Sequence, residues 1–188
     1  MKKLLFIFLT LISYSAFAQN FGSITEEETK YKSCPFDKDA DAVIFLDKAV
    51  ASHDGDRNLI TKRRKKFKIL RENGIDRGNV RIVYQSENDF EKLEEIEGYV
   101  YNTQGEGAFV KVHLDKKSIF RNKVNQYFSE MKIAFPHVRV GSIIEFEYTS
   151  VRKNYSLRNW HFQSDDPTLF SEFDVTILPG AFTCFVGG

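Results

Sequence analysis

Cysteine, proline and tryptophan are scarce in this chain, with 2 Cys, 4 Pro and 1 Trp in 188 residues. Two cysteines cannot build the multi-bridge framework of a small secreted scaffold, so the fold must rest on a hydrophobic core of ordinary size. The four histidines (His53, His113, His137, His161) are far apart, and no pair has the short spacing of a zinc site. The glycine-rich "GEG" at Gly105 to Gly107 lacks the rest of either phosphate-loop fingerprint. Long helical periodicity is nearly missing too, and so is a linker, a repeat or a change of composition that would divide the chain.

An excess of one charge is also lacking. The start "MKK", the apolar run "LLFIFLTLISYS" and the small-x-small ending Ala16, Phe17, Ala18 have the layout of a secretory signal peptide over residues 1–18, cleaved before Gln19. The 27 Lys and Arg less Lys2 and Lys3 leave 25 against 26 Asp and Glu, a net charge of −1 for the mature chain. Such a surface predicts no general affinity for nucleic acid or, after signal cleavage, for a membrane. The expectation is a single exported domain, periplasmic or extracellular, over residues 19–188.

What the sequence does have is strand-length apolar and alternating segments. "ADAVIFLD" (Ala40 to Asp47) suits a strand buried on both faces, and "SHDGDRN" suits a turn in which Gly55 supplies a positive φ. "LITKRRKKFKIL" (Leu59 to Leu70) reads as a long strand, "NGIDRGN" as a turn, and "VRIVY" as a half-buried strand. In "SENDFEKLEEIEGYVYN" a Ser86/Asp89 capping pair and the spacing of Phe90, Leu93 and Ile96 allow a short helix. "GYVYN", "TQGEG" and "AFVKVHL" form a hairpin pattern. "VNQYFSEMKIAFP" is a strand ended by Pro136, "HVRVGSIIEFEYTSV" bends at Gly141 and then alternates, and "NWHFQ" and "LFSEFDVTIL" are two further strand-like pieces. The fold expected is mainly β, an antiparallel β-sandwich with at most one or two short helices.

Few residue groups carry site chemistry. Asp37, Asp39 and Asp41 have calcium-loop spacing, but Ala42 and Lys48 stand where such a loop needs glycine and glutamate. The favoured reading is a solvated turn whose carboxylates accept backbone N–H bonds. "KRRKK" (Lys62 to Lys66) could contact nucleic acid or heparin, and inside a strand it reads instead as edge charge that discourages strand-to-strand pairing. Cys34 and Cys184 could pair in an oxidising compartment and contribute about 4 to 5 kcal/mol in the chain-entropy model, or remain separate thiols. Neither cysteine sits in a context that would lower its pKa, so structural cysteine is favoured over a Cys–His nucleophile. Glu145, which alternates with Phe146, could face a polar interior or a neighbouring domain, and Trp160 with Tyr155 could stack on a sugar. No catalytic, metal or cofactor residue is expected.

Taken in order, "PFDKDADAVIFLD", "FKILRENGID", "FPHVRVGSIIEFEYTS" and "WHFQSDDPTLFSEFDVTILP" resemble the N-terminal domain of unknown function that precedes a transglutaminase-like, papain-fold domain in secreted bacterial proteins. The resemblance runs from about Phe21 to Pro179 and is most specific in "VGSIIEFEYT", whereas "GAFTCFVGG", with Cys184, lies outside it. It implies a mainly β fold and a chain shorter than full members, with the transglutaminase-like Cys–His–Asp set beyond Gly188. The function expected is a non-catalytic accessory domain that packs against the transglutaminase-like partner or presents ligands to it. The alternative is a stand-alone module binding glycan or cell-wall peptide.

Overall fold

A computed structural model describes residues 20–104, 108–154 and 156–177. After a five-residue helix α1 (Glu26–Lys30), nine strands follow among the described residues. They are β1 (Ala42–His53), β2 (Leu59–Ile69), β3 (Asn79–Gln85), β4 (Glu91–Gln104), β5 (Ala108–His113), β6 (Ile119–Lys123), β7 (Phe128–Ala134), β8 (Ile143–Arg152) and β9 (Ser171–Val175). Six build one sheet in the order β5-β4-β8-β2-β1-β9, and three build another in the order β3-β7-β6. No helix among the described residues is long and apolar enough to cross a membrane.

Strand alternation decides what each face carries. On β2 the side chains of Phe67 and Ile69 point at the smaller sheet, which places Lys66 and Lys68 on the other face. Ile144 and Phe146 of β8 and Val100 of β4 join Phe67 and Ile69 from one side. Met131 and Ile133 of β7 and Tyr84 of β3 close the same cluster from the other. This is the core of a sandwich, and it lies toward one end of the long strands. A bulge between Ile44 and Leu46 shifts the parity of β1, so that Ile44 and Asp47 share the inward face.

The mainly β, sandwich expectation agrees with this architecture, with one exception to its antiparallel pairing: β9 runs parallel to β1 along the sheet edge. The connection into it already bonds to β1, with Ile44 N–H donating to Pro167 O at 2.8 Å and Asp47 N–H to Phe170 O at 2.9 Å. Helix content among the described residues is α1 and three short 3-10 turns.

Three local expectations are corrected. The Ser86 capping pattern gives only a 3-10 turn, Glu87–Asp89, because the Ser86 hydroxyl bonds to Ser129 Oγ at 2.6 Å and the chain then enters β4. "NWHFQ" is not a strand; Trp160 and its neighbours belong to the irregular connection between β8 and β9. The β1–β2 turn forms as expected, yet its positive φ is at Arg57 (62°), not Gly55, because the Asp54 carboxylate accepts N–H bonds from Asp56 and Asn58 and sets the turn itself. Gly141 does take a positive φ, 88°, at the bend before β8.

Close approach makes a different glycine necessary. A Cβ on Gly74 would lie 2.3 Å from the backbone oxygen of Asp41, whereas one on Gly55 would meet nothing within 4 Å. Gly74→Ala is therefore expected to cost about 1 to 3 kcal/mol in urea unfolding, and Gly55→Ala to stay within about 0.5 kcal/mol. Equal effects of the two substitutions would contradict this backbone placement.

Candidate functional site

The basic run lies in β2, which is flanked by β8 and β1, so the edge-charge reading of "KRRKK" is wrong. Charges in a central strand must be distributed to both faces and paired there. Arg64 and Lys66 go to the outer face of the large sheet; Arg63 and Lys65 go to the inner face, beyond the end of the apolar core.

On the outer face Lys66 stands opposite Glu145, and both side chains are fully buried. Glu145 Oε1 accepts from Arg64 Nε at 2.8 Å and lies 3.6 Å from Lys66 Nζ. Its Oε2 accepts the Gly22 N–H at 2.9 Å and the Tyr101 hydroxyl at 3.4 Å. The cover is residues 20–30, which cross this face without joining a strand ladder. Lys66 Nζ donates to Ser23 O at 2.8 Å and lies 3.2 Å from the Glu28 carboxylate. Lys68 Nζ donates to the carbonyls of Glu28 and Thr29 at 3.0 and 2.7 Å. Lys111 Nζ donates to Gly22 O at 2.6 Å and sits 3.9 Å from the centre of the Tyr99 ring.

Burial dominates the electrostatics of this face. It pushes the Lys66 ammonium below the ordinary lysine range, against the pull of Glu145 and Glu28. Desolvation, reinforced by Glu145, pushes the Tyr101 phenol up, so this hydroxyl donates rather than ionises. The pair is a satisfied buried ion pair. Glu145, singled out from its alternation with Phe146, does face a polar interior.

Trp160 lies on the opposite face and is half-buried. Its ring stacks on Phe173 of β9 with centroids 5.1 Å apart and planes at 15°, the Arg63 guanidinium lies 4.7 Å from its centre, and Nε1–H donates to Ser171 Oγ at 3.0 Å. Arg63 is itself held by a fork on Asp47, at 2.8 and 2.6 Å. A cleft of about 140 Å³ opens beside it, lined in part by Tyr148, Ser150, Arg158, Trp160 and Phe173. Buried Glu91 accepts from Ser150 Oγ at 2.8 Å in its wall and pairs with Arg158.

The structure thus does not bring Glu145 and Trp160 together: the sheet separates them. Tyr155 and Cys184 lie outside the described residues, and with Cys184 the candidate disulfide. Cys34 is buried beside Tyr31, whose phenol is pushed up by burial and by that thiol. In the aspartate turn Asp37 Oδ1 accepts the Asp39 N–H at 3.1 Å, as the turn reading expects, and Asp39 pairs with Arg71 at 2.7 Å. Sequence reasoning missed Lys68 and saw Lys66 only as one charge of the basic run. Their signal was the matching alternation of Glu145 and Glu147 with Arg64 and Lys66, which only pairing of β2 with β8 makes legible.

A model of a domain of unknown function, DUF3857, matches residues 56–183, and the chain belongs to that family. The match bears out the resemblance seen in the sequence; its span leaves residues 20–30 and β1 outside. A search of curated proteins finds none that matches. A solved structure described as "a putative protease from Parabacteroides distasonis ATCC 8503" is similar at 17% identity with a TM-score of 0.49, over 61% of this chain and 23% of that one.

Removing one partner of a buried pair leaves the other charge stranded. Glu145→Ala is expected to cost about 3 kcal/mol in chemical denaturation, and the double variant Glu145→Leu with Lys66→Met less than that single change. A double variant less stable than Glu145→Ala would show that the pair's charges, rather than their mutual compensation, hold this face.

Proposed function

We propose that this member of the family is an exported, non-catalytic accessory domain that docks a transglutaminase-like domain. Export is supported by the N-terminal signal-peptide pattern. The observation that carries the docking reading is the distribution of exposed apolar side chains. The connection from β8 to β9 carries Leu157, Phe162, Leu169 and Phe170, and Ile177 follows β9, with Phe162 58% and Phe170 49% exposed. A run of solvated large apolar groups is the surface a partner covers. By contrast, the buried charges of both sheet faces are used internally, in pairs and hydrogen bonds that hold the domain's own chain.

The expected behaviour is therefore binding without chemistry. The chain should neither hydrolyse peptides nor cross-link amines to glutamine, and activity abolished by Cys34→Ser would sink the proposal. Phe162→Asp combined with Phe170→Asp should change folding stability by no more than about 0.5 kcal/mol per site while weakening capture of a transglutaminase-like domain supplied in trans at least tenfold. Unchanged capture would remove this surface from the account.

A second reading, a stand-alone glycan or cell-wall-peptide module, is favoured by the aromatic cleft at Trp160 and Phe173. Trp160 already carries Arg63 and Phe173 against its ring, which leaves less of its surface for a sugar. In a peptidoglycan pull-down Trp160→Ala should lose retention if this reading holds, and equal retention of the two proteins counts against it.

A further inference from the structure

The contacts that hold residues 20–30 are of an unusual kind for a segment integral to a sandwich. Arg64 donates to Asn20 O at 3.1 Å, Lys111 to Gly22 O, Lys66 to Ser23 O, and Lys68 to Glu28 O and Thr29 O. All are long cationic side chains reaching main-chain carbonyls, and Glu145 supplies the complementary acceptor for the Gly22 N–H. The face therefore reads an extended backbone, with two side-chain checks: Glu28 against Lys66, and Phe21 against Tyr99 at 5.4 Å between ring centres. Helix α1 buries no residue, and no ladder ties the segment to the sheet.

Segments with few buried apolar contacts are the first to open. Opening also returns water to Lys66, Glu145 and Lys68, which offsets part of the hydrogen bonding lost. Beyond Tyr31, Lys32 and Ser33 are exposed, as is Pro35 to Asp39, with buried Cys34 between them, so the root of the segment is a connection solvated on both sides of one anchoring residue. Eight residues of such a connection span at most about 28 Å when extended.

We infer that the outer face of the large sheet is a polypeptide-binding groove that reads main chain, that residues 20–30 are its detachable resident, and that the segment it takes in trans is the same one from a second copy of the chain. The contacts made in trans are those already seen in cis, which makes exchange of an identical element a low-cost route to a dimer. Gly22 sets the selectivity. Its φ is +82°, and a Cβ there would lie 2.9 Å from Lys111 Nζ and 3.2 Å from Tyr99, so the groove takes glycine at this position.

The test uses the full chain and a labelled synthetic peptide of residues 20–31. Gly22→Val weakens the resident segment without touching the groove wall. That variant, folded by circular dichroism, should bind the peptide at least tenfold more tightly than the parent, and should bind a Gly22→Val peptide at least tenfold more weakly than the native one. Phe21→Ala, a second change confined to the resident segment, removes its ring contact with Tyr99 and should raise uptake of the native peptide about threefold, which keeps the question answerable if the first variant folds poorly. The parent should also form a dimer at high concentration that excess peptide dissolves. No rise in uptake by either variant, equal uptake of a scrambled peptide, or a parent that stays monomeric at millimolar concentration overturns the inference.

Discussion

Lys66 and Glu145 face each other on adjacent central strands, sealed from water, and taking two such ions out of solvent costs several kcal/mol each before any attraction is counted. The pair is tolerable only where the remaining donors and acceptors of both ions are filled. Ser23 O and Glu28 serve the ammonium; Arg64, Tyr101 and the Gly22 N–H serve the carboxylate. Most of those partners come from a segment more than thirty-five residues away from Lys66 in sequence, so the charge requirement, rather than strand pairing, brings residues 20–30 across the sheet. The same requirement accounts for the convergence of Lys68 and Lys111 on its carbonyls, and for the protonated state of Tyr101.

The register of β2 turns one basic run into two unrelated environments. Even-numbered positions feed the outer cluster, and odd-numbered ones feed the inner cleft, where Arg63 links Asp47 to Trp160. A one-residue slip would exchange them and drive Phe67 and Ile69 out of the core, so the apolar end of the strand fixes the polar end. The bulge in β1 matters for the same reason: it carries Asp47 to the inward face, opposite Lys65 and beside the Arg63 fork.

Much of the fold is legible in sequence because alternation and turn chemistry are local. "VRIVY", "IIEFEYT" and the Gly141 bend read correctly, since side-chain period and positive φ are properties of a few residues. The parallel placement of β9 and the central position of β2 did not read, because strand order depends on contacts distant in the chain. Glu145 was found from its apolar neighbours, and its partner Lys66 was hidden inside a run whose charges look alike until pairing sorts them. The helix suggested by Phe90, Leu93 and Ile96 lost to the β4–β8 ladder, a case of long-range pairing overriding a weak local pattern.

If buried compensation at Lys66 governs this face, its ammonium must titrate unlike the exposed lysines. Isotope-detected NMR of the lysine side chains across pH 7 to 12 measures this residue by residue. The account predicts that Lys66 loses its proton below the ordinary value of about 10.4, because desolvation outweighs Glu145 and Glu28. Glu145→Gln, which removes the charge and turns one of its two acceptor oxygens into a donor, should move it lower still. Titration of Lys66 together with the exposed lysines, unmoved by Glu145→Gln, would contradict the account.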